Sequence, residues 1–181
     1  MPPASNADLV TTERLLLRRP LLGDLAVFHE IHADPEANRF NRIGLHRTTQ
    51  QSRAVLDAWL AHWLKHGFGP WVVEVRSAPG DPAVGFAGLR WRGSEELPGL
   101  NLYFRLRPAA WGHGYATEAA LATVRFALAD LGAPEVTAII HPENAPSIRV
   151  AERAGMTLVG PVEYRGHPSL LYIARAADRT A

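Results

Sequence analysis

Trp111-Gly112-His113-Gly114-Tyr115-Ala116-Thr117-Glu118 decides how this 181-residue chain is read. An apolar run, Leu100 to Leu106, precedes it and has the character of a strand. An alanine-rich run, Ala119 to Leu131, follows it and has the character of a helix. Glycine lets a backbone curl where a Cβ would obstruct it. The first turn of a helix leaves its N–H groups unpaired and carries partial positive charge. Successive N–H groups in such a turn form a concave anion site. The stretch therefore points to a phosphorylated small molecule held at Gly112–Thr117, with a ligand-free helix-entry turn as the plainer alternative.

Two other glycine-loop geometries fit poorly. A P-loop requires Gly-x4-Gly-Lys-Ser/Thr, but no lysine follows Gly114 and the chain's only lysine is Lys65. A dinucleotide fold requires a third glycine where Thr117 stands, and an acid at the end of the next strand. Glu135 has about the right separation but opens its strand instead.

Working outward, Arg14-Leu15-Leu16-Leu17-Arg18 is a short strand stopped by Pro20. Asp24 stands where it can cap a helix through Leu25, Phe28 and Ile31. Thr48 or Thr49 starts a second helix whose apolar stripe is Val55, Leu56, Trp59, Leu60 and Trp63, with Gly67 ending it. Trp71–Arg76, Val84–Trp91 and Leu100–Leu106 are strands. Pro79-Gly80-Asp81-Pro82, Gly93 and Pro98-Gly99 separate them as hairpin turns. After the glycine loop and its helix come a strand at Val136–Ile140 and a helix opened by Asn144-Ala145-Pro146-Ser147, with Pro just inside its start. Thr157–Glu163 and Leu170–Ala174 close the chain as strands. The order β-α-α-β-β-β-α-β-α-β-β predicts an α/β (α+β) fold: a mixed, mostly antiparallel seven-stranded sheet with helices on both faces. Strand 100–106 and strand 136–140 should be parallel, joined by a right-handed crossover. Residues 1–11 read as a flexible tail and 12–181 as a single domain.

Composition narrows the class. With 47% hydrophobic and 20% charged residues, a folded core is expected. Nineteen basic residues against 18 acidic ones leave a net charge of +1, which argues against a nucleic-acid or membrane surface. The absence of cysteine removes any disulfide, thiolate nucleophile or Cys-bound zinc. No run has the length of a spanning helix, and residues 1–8 lack a signal-type apolar core. A soluble cytoplasmic protein is expected. His62 and His66, four apart, lack the Glu of His-Glu-x-x-His, so they and His29/His32 read as packed or solvated, and no metal is expected. Trp59 and Trp63 read as core. Arg39, Arg42 and Arg47 form a basic stretch that reads as solvated.

Three segments together resemble the GNAT family of acetyl-CoA-dependent N-acetyltransferases, and most of all the branch that acetylates ribosomal-protein N-termini. They are Arg14-Leu15-Leu16-Leu17-Arg18-Arg19-Pro20, Trp111–Ala119, and Pro142-Glu143-Asn144-Ala145-Pro146-Ser147-Ile148-Arg149-Val150-Ala151-Glu152-Arg153-Ala154-Gly155-Met156. The element order agrees over nearly the whole chain. The resemblance implies an enzyme using acetyl-CoA as co-substrate, without metal, to acetylate a primary amine by direct attack in a ternary complex. The acceptor is a small amine or amino-acid-like molecule, or a protein N-terminus. A coenzyme-A-binding module without turnover is the alternative. The protein is expected as a monomer or homodimer, with no nucleic-acid or membrane partner.

The resemblance also implies residue roles. The coenzyme's pyrophosphate lies on backbone N–H groups of His113, Gly114, Tyr115, Ala116 and Thr117, with Gly112 forming the turn. Strand 100–106 carries a bulge and splays from strand 136–140, leaving a gap for the pantetheine arm. A backbone N–H near Phe104, Arg105 and Leu106 polarises the acetyl carbonyl. Asn144 binds the pantetheine amide or caps its helix. Ser147 protonates the leaving thiolate or is a plain first-turn serine. Relatives often place a tyrosine where Ala151 stands, a glutamate base where Asn101 stands, and Gln or Arg where Ala109 stands. Asp34, Glu36, Tyr103, Glu74 or an ordered water remain as proton acceptors. A weak base favours amines of low pKa, such as an α-amino group at about 7.7–8, over lysine at about 10.4.

Overall fold

The computed structural model describes residues 7–41, 44–92 and 99–176. Among these, eight strands form one sheet: β1 (Leu9–Thr11), β2 (Leu15–Arg18), β3 (Pro70–Val75), β4 (Gly85–Arg92), β5 (Gly99–Leu106), β6 (Glu135–Ile140), β7 (Thr157–Tyr164) and β8 (His167–Arg175). Their order across the sheet is β1-β2-β3-β4-β5-β6-β8-β7. Four α-helices cover it: α1 (Leu25–Ala33), α2 (Thr49–His66), α3 (Tyr115–Arg125) and α4 (Ala145–Arg153).

The extra strand corrects the sequence reading at residues 7–11. Leu9, Val10 and Thr11 pair with Arg18, Leu17 and Leu16 of β2. Ala7 is buried, and its carbonyl accepts the Trp71 indole N–H at 2.6 Å. Residues 1–6 of the expected tail lie outside the described residues, as does Arg42 of the basic stretch.

Alternation along the strands divides the core between the two faces. Val72, Phe86 and Tyr103 pack with Phe28 and Ile31 of α1 and Leu56 and Trp59 of α2. Trp71, Val73, Ala87, Leu89 and Leu102 pack with Ala119, Ala120 and Val124 of α3 and Ala151 of α4. Trp63 of α2 joins this second cluster. Each large apolar side chain buried this way contributes roughly 1.5–3 kcal/mol.

The helix ends follow local chemistry, with two exceptions. Thr48 caps α2 in a reciprocal box with Gln51, and Gly67 ends it at φ +73°. Asp24 precedes α1 but makes no side-chain cap there. Its carboxylate instead takes the Arg18 guanidinium at 2.6 and 2.9 Å and the Leu21 N–H at 2.7 Å. The helix expected to run to Leu131 leaves α geometry after Arg125 and continues as a π turn over Phe126–Asp130.

One feature of the sheet makes the site. β5 pairs with β4 over its whole length in unbroken register, from Gly99 to Leu106, so the expected bulge is absent. β6 likewise pairs with β8 over its six residues. Between β5 and β6 the ladder has a single register pair, Asn101 with Thr137. Each strand follows the twist of its own antiparallel partner, so the parallel pair opens beyond that point without a bulge.

Candidate active site

The chain leaves β5 through a short 3-10 turn at Pro108–Ala110 and enters α3 through Gly112 and Gly114, both at φ +79°. Gly114 stands at the N-cap of α3 in the left-handed region, and the helix starts at Tyr115. Thr117 is therefore inside the first turn and does not cap it. The first N–H to find a main-chain acceptor is that of Glu118, on the Gly114 carbonyl at 3.1 Å. Among the described residues, the N–H groups of residues 112–117 have no protein acceptor. Six consecutive donors at the positive end of a helix make an anion site.

The turn is held from behind. Arg14, at the β1–β2 turn, donates Nη1–H to the His113 carbonyl at 2.8 Å and Nε–H to the Glu118 carboxylate at 2.7 Å. Glu118 also accepts from the Thr12 hydroxyl at 2.6 Å and the Arg14 N–H at 2.8 Å. Burial pushes the Glu118 carboxyl up, but the hydrogen bonds from Thr12 and Arg14 outweigh it and hold it below its ordinary range. Its role is structural.

A cleft of about 970 Å³ opens where β5 and β6 part. Phe104, Arg105 and Leu106 form one wall. Gly112, Gly114, Tyr115, Ala116 and Thr117 of the glycine turn line it, as do Asn144 and Ser147 at the start of α4. His113 contributes no lining: its ring stacks on Tyr115 at 5.5 Å, and its Nδ1 pairs with the Trp111 carbonyl at 2.9 Å. Phe40, from the loop after α1, reaches across to His141 at the end of β6, with ring centroids 5.3 Å apart.

A family model described as the acetyltransferase (GNAT) domain matches residues 14–157. The chain belongs to the GNAT acetyltransferase family. It is 26% identical over 143 residues to the uncharacterized N-acetyltransferase p20 of Bacillus licheniformis, covering 79% of each chain. Its fold is similar to that of the acetyltransferase from Agrobacterium tumefaciens str. C58, with a TM-score of 0.77, 28% identity, and 92% of this chain and 94% of that one covered. It is also similar to RimL, a ribosomal L7/L12 alpha-N-protein acetyltransferase in complex with coenzyme A. There the TM-score is 0.72 with 14% identity, covering 92% of this chain and 97% of that one, a likeness of fold alone.

In this GNAT acetyltransferase, Asn144 is the N-cap of α4, its Oδ1 accepting the Ser147 N–H at 3.2 Å. Among the described residues the Ser147 hydroxyl has no protein partner. The proton-acceptor candidates separate. Glu74 is bonded to Arg18 at 2.8 Å on β3, outside the cleft. Asp34 lines a neighbouring cavity of about 290 Å³ with Glu30, Arg107 and Glu36, the last of which borders both. Glu36 and Tyr103 line the main cleft.

Tyr103 is committed elsewhere. His32 Nδ1 lies 2.8 Å from the Phe28 carbonyl, which only accepts, so that nitrogen carries the proton. His32 Nε2 then accepts from the Tyr103 hydroxyl at 2.9 Å. Burial, then the charge of Arg105, pushes the His32 imidazole down to about 3, so it takes no proton from Tyr103 near neutrality. Among the described residues no group of three or more His, Cys, Asp or Glu is placed to hold a metal, and no helix is long and apolar enough to cross a membrane.

The sequence reading missed Arg90. In β4 it lies directly across from Asn101, and its guanidinium sits 4.3 Å from the Tyr103 ring centroid. Its one signal was a charge following the apolar run from Gly85 to Leu89 within the strand.

Proposed function

We propose that the enzyme moves an acetyl group from acetyl-CoA to a primary amine bound in the same cleft. The observation that carries this is the parting of β5 and β6 directly beside six N–H groups that have no protein acceptor among the described residues. The pyrophosphate of the coenzyme suits Gly112–Thr117, and RimL, of like fold, holds coenzyme A. The pantetheine arm suits the gap, where β5 main-chain groups beyond Asn101 have no β6 partner. Asn144 keeps its Oδ1 as a cap and offers its amide N–H to the pantetheine.

The amine nitrogen attacks the thioester carbonyl carbon. A C–N bond forms, the C–S bond breaks, the amine gives up a proton, and coenzyme A leaves as a thiol. A β5 N–H near Phe104–Leu106 stabilises the developing oxyanion, a contribution of about 2.7–4 kcal/mol where one such donor has been removed in another enzyme. Ser147 passes a proton to the leaving sulfur and regains one from the water that takes up the amine's proton. No side chain on the Asn101 position accepts the amine's proton. Water carries the proton away. Positioning in the ternary complex supplies much of the remaining rate.

The test is thiol release from acetyl-CoA with and without amines. Amine-dependent release with an acetylated product supports the reading. Coenzyme binding with no amine-dependent release across small amines and peptides contradicts it.

A further inference from the structure

We propose that the acceptor amine carries an anionic group, a carboxylate or phosphate, which Arg90 and Arg105 hold on the α1–α2 face of the sheet. The inference rests on the acetyl-transfer reading above and narrows its substrate.

The cleft is strongly basic although the whole chain is nearly neutral. Arg39, Arg90, Arg105, Arg149, Arg153 and Arg165 line it, against one carboxylate, Glu36. Among the described residues none of these six arginines is in an ion pair, whereas Arg14, Arg18, Arg19, Arg53, Arg107 and Arg175 all are. Arg47, Arg76 and Arg125, outside the cleft, are also without an ion pair among the described residues, so what marks the cleft is the gathering of six such arginines around one carboxylate.

Position assigns the two arginines to the acceptor half. Directly opposed residues of an antiparallel pair share a face. Arg90 opposes Asn101, and Arg105 opposes Phe86, which packs with α1 and α2. Both therefore lie on the face away from α3 and its glycine turn. Arg149 and Arg153 sit on α4, with Ser147, and belong with the coenzyme.

Tyr103 does not satisfy them. The Arg90 and Arg105 guanidiniums lie 4.3 and 5.8 Å from the centroid of that one ring. A ring face attracts a cation but accepts few of the five N–H groups of a guanidinium. Two like charges brought to one ring also repel each other. Burial already holds Arg90 below its ordinary range, and Arg105 adds to that. A planar anion bridging two forked donors answers both deficits. Among the described residues the only carboxylate lining the cleft is Glu36, on the loop after α1 and not on this wall.

An amino acid's own carboxylate and an acidic residue behind a peptide N-terminus offer the same chemistry. The experiment measures thiol release for amino acids beside their carboxamides, and for peptides with an acidic or a neutral second residue. Acetyl-CoA affinity is measured separately by calorimetry. We expect the anionic member of a pair to be preferred by roughly 10- to 100-fold in kcat/KM. Arg90→Gln and Arg105→Gln should collapse that preference through KM, leaving coenzyme affinity within about twofold. Arg105→Lys, which keeps charge but loses the fork, should restore part of it. Preference in the first pair type names a small amino acid as the source, and in the second a peptide.

Coenzyme binding and turnover with equal rates for anionic and neutral partners would overturn this inference alone. Failure of acetyl-CoA to bind would overturn the acetyl-transfer reading and the inference with it. The wild-type ratio decides even where a variant does not fold.

Discussion

The Arg14 guanidinium meets the Glu118 carboxylate at 2.7 Å, joining the β1–β2 turn to the first turn of α3. Through the His113 carbonyl the same guanidinium fixes the glycine turn, whose N–H groups have no protein acceptor among the described residues. The N-terminal hairpin is in this way part of the anion site's scaffold.

Glu118→Gln should therefore destabilise the protein by about 1 kcal/mol, since hydrogen bonds to a charged group, part-buried from Thr12 and exposed from Arg14, are weakened. The folded carboxyl lies below its ordinary value, so its contribution is complete above the unfolded value of about 4.3 and is lost as pH falls through the folded one. Urea unfolding across acidic pH checks this: the wild type should lose stability on acidification more steeply than Glu118→Gln.

Gly114→Val should cost stability as well as coenzyme affinity. At φ +79° a side chain is strained, and a Cβ would stand 3.3 Å from Arg14 Nη2. The strain is about 1–3 kcal/mol, and displacement of Arg14 loosens the turn. Gly112→Ala has the same φ but open space around it. Thermal unfolding and acetyl-CoA titration of the two variants should rank Gly114→Val as the more damaging in both.

Much of the architecture could be read from residue pattern. Gly112 and Gly114 between an apolar strand and an alanine-rich helix located the turn, and Asn144 with Pro146 located the start of α4. What escaped depends on contacts distant in sequence. β1 has only three residues, too few for periodicity, and is held by Trp71 and β2. Asp24 looks like a cap until Arg18 is beside it. Arg90 gains meaning only when the β4–β5 register sets it across from Asn101.

His32 should stay neutral far below an ordinary histidine. Its folded value of about 3 against an ordinary 6.5 means that its contribution is complete above pH 6.5. It fades as pH falls from 6.5 toward 3, where the unfolded chain binds a proton that the fold refuses. An NMR titration of the imidazole checks it: no protonation of the folded ring is expected at pH 5, and a midpoint near 6.5 would contradict the buried Tyr103–His32 bond.

Ser147→Ala should lower kcat by about 10²-fold or more if its hydroxyl protonates the leaving thiolate. Acetyl-CoA affinity should change little, because the α4 cap uses the Ser147 backbone N–H and not the hydroxyl. Single-turnover rates and calorimetry separate the two effects. An unchanged rate removes Ser147 from the chemistry.

The most direct test of the central claim is a crystal structure of the protein with coenzyme A. The pyrophosphate should accept hydrogen bonds from main-chain N–H groups of residues 112–117, with the pantetheine arm running between β5 and β6 past Asn144. A coenzyme seated elsewhere, with those N–H groups still facing solvent, would contradict the account.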